Sequence, residues 1–340
     1  MPDPTETWTV KATLDWVEGY LARKGDENPR LAAQWLLSHV TGLSRIQLYT
    51  NFERPLTMDE RDVLRGYVAR RGKGEPLQYI TGQVGFRYIT VAVRPGVLIP
   101  RPETEVLVSE ALALLAPPKR LVAADSLLNE YDGAALMAAQ AETAGEADAR
   151  EGSATPASVS SADAEDAKPL LVADIGTGSG CIACSLAQEH PEVRVFATDL
   201  SSEAVALAQE NVAALGLRDR VQVLQGNLGE ALPAEAIGHL QLVVSNPPYI
   251  PSAVMETLAP EVADFEPALA LHGGPDGLDI FRPLLAWCAD ALAPGGSFAF
   301  ELHEECLDQA AFEARQAGFA NVRICLDLAG RPRVLTGTKA

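Results

Sequence analysis

Apolar and polar positions along the chain follow two different periods. Up to residue 75 the pattern is helical. Leu31, Ala32, Trp35, Leu36 and His39 or Val40 recur on one helix face. Asn28-Pro29 offers a helix start with Pro at the first helical position. Thr57, with Glu60 three residues on, has capping-box spacing and predicts a helix from Met58 to Arg71. Residues 76–95 alternate around Gly82 and Gly85 and predict a hairpin. Tyr79-Ile80 forms one arm, Phe86 to Val93 the other, and Gln83-Val84 lies in the loop. Phe86 in such a place reads as core. A helix is predicted to run to Leu115. From residue 169 on, short apolar runs alternate with helical stretches. Strands are predicted to end at Ile175, Thr198, Leu224, Ser245, Leu302 and near Thr336, with Ala293-Pro-Gly-Gly296 as a turn before Ser297. Such alternation implies an α/β fold with a mainly parallel, doubly wound sheet.

Candidate chemistry sits at the strand ends. Leu170 to Ile175 runs into Gly176-Thr177-Gly178-Ser179-Gly180 and then an apolar helix from Cys181 to about Glu189. A strand, a glycine-rich turn and a helix let backbone N–H groups approach a ligand closely. The glycine spacing is not that of dinucleotide folds. The next strand ends at Asp199, where a carboxylate can take both hydroxyls of a bound ribose. Ser201 or Ser202 can cap the following helix, which frees Asp199 for a ligand. NAD and S-adenosylmethionine both fit this unit, and the turn spacing favours the second. For Asp174 three readings stand: orienting the loop, touching a methionine amine, or a structural strand-end acid.

Asn246-Pro247-Pro248-Tyr249 follows the apolar run Leu240 to Ser245. The prolines stop the ladder because neither has an N–H to donate. They also hold the preceding residues extended, which fixes their carbonyl directions. Asn brings a carboxamide and Tyr a flat face. Together they suit a planar NH₂ group, which suggests N-methylation. In this reading Asn246 Oδ1 and the Pro247 carbonyl accept the two hydrogens, and Tyr249 covers the amide plane.

Further segments add to this motif: Pro76 to Gly82 followed by Phe86; Val97-Leu-Ile-Pro-Arg-Pro-Glu-Thr-Glu105; Phe265-Glu-Pro-Ala-Leu269; Gly273-Gly-Pro-Asp-Gly-Leu278; and Gly330-Arg-Pro-Arg333. With them the chain resembles the peptide-chain release factor glutamine methyltransferases, the PrmC/HemK family. The resemblance covers nearly all of the chain except about residues 117–168. It implies a class I, Rossmann-like methyltransferase domain over residues 96–340 that uses S-adenosylmethionine. It implies a helical domain over 1–75 that helps bind class I release factors, joined by the hairpin at 76–95. It implies N5-methylation of the glutamine in a Gly-Gly-Gln motif, in the cytoplasm, and so a modulation of translation termination. The alternative is an adenine-N6 or other nucleic-acid amino methyltransferase, because Asn-Pro-Pro-Tyr is shared with those enzymes. By resemblance Leu228 lies beside the adenine. Asn227 stands where many class I enzymes carry Asp. The loop bearing Arg101 and Glu103 lies near the methionine end, and Glu103 reads either as a cofactor contact or as a first-turn acid of the helix that follows.

Composition narrows the classes. The 340 residues suffice for two domains, and 47% are apolar, as in a globular chain. No apolar run approaches the ~18 residues of a membrane span, and the N-terminus lacks the basic start and apolar stretch of a secretory signal. A net charge of −19 argues against gripping bare phosphate backbone and suits a protein substrate better. Arg70, Arg71 and Lys73 read as a solvated helix end. Five scattered cysteines read as reduced thiols, with Cys181 and Cys184 as small core residues, and no metal site is expected. Residues 117–168 depart from the family pattern. From Ala134 to Lys168 there are thirteen Ala, seven acids, two bases and no aromatic residue, a composition expected to form a disordered acidic linker.

Overall fold

A computed structural model describes residues 8–118 and 168–340. Almost all of the expected acidic insertion lies outside the described residues. The first stretch opens with helices α1 (Val10–Arg23), α2 (Pro29–Thr41), α3 (Arg45–Thr50) and α4 (Met58–Arg71). Pro29 stands in the first turn of α2, and both arms of the Thr57/Glu60 capping box start α4. A core of Val10, Leu14, Val17, Leu21, Leu36, Leu37, Leu48 and Leu64 holds these helices together. The buried face of α2 is rotated from the expected one. Ala32, Ala33, Leu36 and Leu37 are buried, while Leu31 and Trp35 are 39% and 49% exposed. The small alanines let α1 approach closely, and the larger residues are turned outward.

The hairpin differs from expectation in register. Pro76 and Gly82 bracket a short helix, α5 (Leu77–Thr81), so Tyr79-Ile80 is not a strand. Gly82 ends that helix in the left-handed region at φ +75°. The hairpin pairs β1 (Gln83–Phe86) with β2 (Ile89–Ala92), which places Gln83-Val84 in a strand and Arg87-Tyr88 at the turn. Phe86 is buried, as expected. Arg87 grips both carboxylate oxygens of Glu189 and so fastens the hairpin to the sheet domain. The Arg70–Lys73 cluster is also not merely a solvated end. The Arg71 side chain is 10% exposed and pairs with Asp26 and Glu261, and Arg70 pairs with Glu75.

After α6 (Thr104–Leu114), seven strands form one sheet in the order β5-β4-β3-β6-β7-β9-β8. These are β3 (Leu170–Ile175), β4 (Val193–Asp199), β5 (Val221–Gln225), β6 (Leu240–Ser245), β7 (Leu292–Glu301), β8 (Phe319–Leu326) and β9 (Pro332–Lys339). The first five are parallel, and β9 runs antiparallel between β7 and β8. β8 was not among the expected strand ends; its residues alternate too weakly between buried and exposed. The Ala293–Gly296 turn is instead part of β7. Its mismatch is absorbed by a register shift against β6 and by Gly295 at φ +77°. Side chains alternate between two cores, which is why the strands read as nearly continuous apolar runs. Val172, Leu242 and Val244 face α6 and α7 (Cys181–Glu189), whereas Ala173, Ile175 and Val243 face α11 (Phe281–Ala291) and α12 (Leu307–Gln316). Between α7 and α11 stand α8 (Ser202–Ala214) and two single-turn helices, α9 (Ser252–Met255) and α10 (Pro260–Ala263). The strand order reverses between β3 and β6, and the crevice at their carboxyl ends is where open α/β sheets bind ligands.

Candidate active site

A cavity of about 380 Å³ opens at that crevice. Its lining includes Gly176, Thr177, Gly178, Ser179, Asp199, Leu228, Asn246, Pro247, Pro248 and Arg101. One pocket therefore brings together ten residues that the sequence spread over about 150 positions.

The wall below β3 and β4 is built from the glycine-rich turn. Gly176 and Gly178 take φ of +73° and +56°, and a Cβ at Gly176 would meet no atom within 4 Å. Their glycine character serves backbone conformation and open approach rather than packing. Gly180 does not line the cavity. It caps α7 at φ +81°, and a Cβ there would come within 3.1 Å of the Ala208 Cβ. Asp199 accepts the Gly178 N–H at 2.8 Å on Oδ2 and the Ser201 N–H at 2.9 Å on Oδ1. Burial raises its pKa, and these amides oppose the rise. Ser201, not Asp199, caps α8.

Asp174 lies beneath the turn and outside the lining. Its Oδ2 accepts the Thr177 hydroxyl at 2.6 Å and the Ala183 N–H at 3.1 Å, so the carboxyl orients the loop. Complete burial pushes its pKa up to about 7 against those two donors, with the nearby Asp199 adding to the rise. Leu228 lines the cavity at φ +47°, and its carbonyl accepts the Thr198 hydroxyl. Asn227 also lines it and donates its amide to Glu230.

The opposite wall is assembled from distant segments. Asn246 Nδ2 donates to Thr104 Oγ1 at 3.1 Å. That bond leaves Oδ1 as the free end of the carboxamide. Tyr249 departs from expectation. It is not among the lining residues, and its hydroxyl donates to Glu301 Oε1 at 2.9 Å. Burial raises the Tyr249 pKa, and the Glu301 charge adds to the rise. The segment Gly273–Leu278 explains itself here. A Cβ at Gly273 would stand 2.6 Å from the Tyr249 Cα, and one at Gly277 would stand 2.5 Å from its carbonyl oxygen. Only glycine lets this loop press against the Pro-Pro-Tyr turn.

Arg101 reaches the cavity and pairs with the buried Glu266 at 2.5 Å, while Glu266 also accepts the Ile99 N–H. Glu103 is exposed, stands at the N-cap position of α6 without a side-chain capping hydrogen bond, and does not line the cavity; Glu105 is the acid in the first turn. Phe86 belongs to the hairpin core and is likewise absent from the lining. Sequence reasoning gave no role to Thr104, Glu266 or Glu301. Glu301 carried a signal, because it is the one charge in the apolar run Phe298 to Leu302. Among the described residues no group of three or more His, Cys, Asp or Glu is placed to hold a metal ion, and no helix is long and apolar enough to cross a membrane. Cys181 and Cys184 are buried, and burial pushes the Cys184 thiol up to about 12.

The residues present fit S-adenosylmethionine. An open glycine turn, a carboxylate at the second strand tip and the apolar Leu228 offer the three surfaces that its amino-acid, ribose and base parts require.

The PrmC N-terminal domain matches residues 12–82, and the methyltransferase small domain matches residues 159–261. The release factor glutamine methyltransferase of Geobacter sulfurreducens is 38% identical over 337 residues, 99% of either chain. That of Rhodopirellula baltica is 34% identical over 98% of this chain and 97% of its own. Among solved structures, a methyltransferase from Pyrococcus furiosus overlays 51% of this chain and 76% of its own at 20% identity and a TM-score of 0.39. The full-length likeness to the curated relatives shows that this chain belongs to the release factor glutamine methyltransferase family.

Proposed function

We propose that this chain methylates the side-chain amide nitrogen of a glutamine, the one in the Gly-Gly-Gln motif of class I release factors. The observation that carries the reading is the Asn246 carboxamide. It stands in the same cavity as the glycine turn and Asp199, with Nδ2 tied to Thr104 and Oδ1 unspent. S-adenosylmethionine, when bound, supplies an electrophilic methyl group. Gly176–Ser179 and Asp199 hold its amino-acid and ribose parts, and Leu228 packs on the base.

An amide nitrogen is a poor nucleophile because its lone pair is delocalised into the carbonyl. Asn246 Oδ1 accepts one target hydrogen and the Pro247 carbonyl the other. Holding both aims the nitrogen and favours its pyramidal form, an interaction that strengthens toward the transition state. The Pro-Pro turn fixes these acceptors before substrate arrives, so positioning supplies most of the rate. No histidine lines the cavity, and none is needed. The nitrogen becomes acidic as it gains the methyl, and its proton leaves to solvent. Tyr249 acts from behind the turn, anchored on Glu301. The helical segment, with α4 joined to the sheet domain through Arg71 and Glu261, forms part of the surface that receives the release factor. A substrate of the translation machinery sets the reaction in the cytoplasm.

The test is mass spectrometry of a release factor after incubation with enzyme and S-adenosylmethionine. One added methyl on the glutamine of the Gly-Gly-Gln loop is expected. Transfer to DNA or RNA instead, in a parallel incubation, would replace this reading with the nucleic-acid one.

A further inference from the structure

Glu301 is a buried carboxylate at the back of the target-side wall. It ends β7, is 1% exposed, and follows the apolar run Phe298-Ala299-Phe300. Its Oε1 accepts the Tyr249 hydroxyl, while Oε2 is buried with no hydrogen-bond partner of regular geometry. Thr104 is 2% exposed and opens α6 on the other side of the same carboxylate. Burial raises the Glu301 pKa, and the hydroxyls of Thr104 and Tyr249 together with the charge of Arg333 pull it back down. Thr104 thus lies between two partners: Asn246, whose amide it accepts, and Glu301.

A threonine hydroxyl has one hydrogen and an ionised carboxylate has none. With its oxygen accepting from Asn246, Thr104 has its hydrogen left for an acceptor, and Glu301 Oε2 is an acceptor without a donor. We propose that Glu301 and Thr104 are positioning residues that set which way the Asn246 carboxamide faces. The direction runs Asn246 Nδ2 to Thr104 Oγ1 to Glu301, with Tyr249 donating to the other oxygen. The carboxylate, able only to accept, ends both branches. The consequence is that Nδ2 points into the protein and Oδ1 toward the target amide. This deepens the reading that Asn246 Oδ1 accepts a target hydrogen, and it rests on that reading.

Glu301→Gln tests the direction because it is nearly isosteric and adds a donor. One arrangement then gives every oxygen of the row a donor, with Tyr249 donating to the Gln oxygen. The new NH₂ donates to Thr104, Thr104 donates to Asn246 Oδ1, and Asn246 turns its Nδ2 into the cavity. Two donors would then face one another where the target amide must bind. Thr104→Val removes the link without changing side-chain size, and Thr104→Ser restores the hydroxyl.

The experiment is single-turnover methyl transfer to a release factor, with cofactor affinity measured by calorimetry and folding by thermal melting. Glu301→Gln and Thr104→Val should each slow transfer at least about tenfold, with cofactor affinity within about twofold. Thr104→Ser should recover to within about threefold of the native rate, and the double variant should be no slower than the worse single one, as for groups in one network. Native-rate transfer by either single variant, or fully additive losses, would overturn the proposal. If Glu301→Gln does not fold, the Val and Ser variants at Thr104 decide it. Asn246→Ala, run alongside, separates the two levels. An inactive Ala variant beside active Glu301→Gln and Thr104→Val removes only the relay, whereas an active Ala variant removes the reading of the site itself.

Discussion

The two walls of the cavity are built by different means. The glycine-turn wall is mostly local: Asp174 reaches Thr177 and Ala183 three and nine residues on, and Asp199 reaches Ser201 two residues on and Gly178 across 21. The facing wall is assembled across the chain. Asn246 meets Thr104 over 142 positions, Tyr249 meets Glu301 over 52, and Arg101 meets Glu266 over 165. A strand–turn–helix unit makes the first wall wherever it folds. The second exists only when the loop at residues 96–104, the end of β6, the segment around Glu266 and the end of β7 converge. The local wall is the one proposed to hold the cofactor, and the assembled wall is the one proposed to hold the target amide.

The sharpest way to break the comparison is at Asn246. Asn246→Ala should cut single-turnover transfer at least about a hundredfold, roughly 3 kcal/mol of barrier, and leave cofactor affinity nearly unchanged. Asn246→Asp should lose a similar amount. It keeps an acceptor but gives up the Nδ2 donor that holds Thr104, and it buries a charge beside an apolar wall. A variant that lost cofactor affinity and transfer equally would show that the two walls do not divide the labour.

Asp199→Ala should do the reverse, with a smaller effect. The variant removes the proposed ribose acceptor and leaves the Gly178 and Ser201 amides without their partner. Cofactor affinity measured by calorimetry should fall at least about tenfold, or about 1.4 kcal/mol. Transfer at saturating cofactor should stay within about threefold, because the target-side acceptors are intact. Unchanged affinity would take Asp199 out of the cofactor wall.

The same division explains what was legible in the sequence. Gly176 to Gly180, Asp199 and the strands that end at them are read from neighbours in the chain, because period and turn chemistry are local properties. Asn246 and the prolines were legible for that reason too. The Thr104 hydroxyl and the Glu301 carboxylate were not, because their roles depend on which residues meet after folding. Tyr249 was misread in the same way: an aromatic residue at a strand end suggests a stacking face, and only the fold reveals that Glu301 holds its hydroxyl behind the wall. The short helix at Leu77–Thr81 was hidden by apolar alternation that fits a strand, while Pro76 and the left-handed Gly82 bound it as one helical turn. β8 escaped because an edge strand buries little and leaves a weak pattern.

The smallest expected effect on catalysis belongs to Asp174, and it separates the remaining readings of that residue. Its carboxyl is wholly buried, and burial lifts its pKa to about 7 in the folded chain, against an ordinary 3.8. A carboxyl raised in this way makes the fold bind a proton that the unfolded chain releases. Lowering the pH from about 8 to about 5 should therefore add stability of order 2 kcal/mol from this group. The gain is complete near pH 3.8 and lost as the pH rises through about 7. Asp174→Asn imitates the protonated form. Its amide oxygen still accepts from Thr177 and Ala183, and its NH₂ takes the place of Oδ1, which has no partner. Melting temperatures across this range should flatten in the variant relative to the native chain. Asp199→Ala should flatten them in part, because the like charge that raises Asp174 is gone. Cofactor affinity of Asp174→Asn should stay within about threefold, as for a residue that orients the turn from below rather than touching the ligand. A tenfold or greater loss, or about 1.4 kcal/mol, would instead place its charge against the methionine amine and make Asp174 part of the wall it supports.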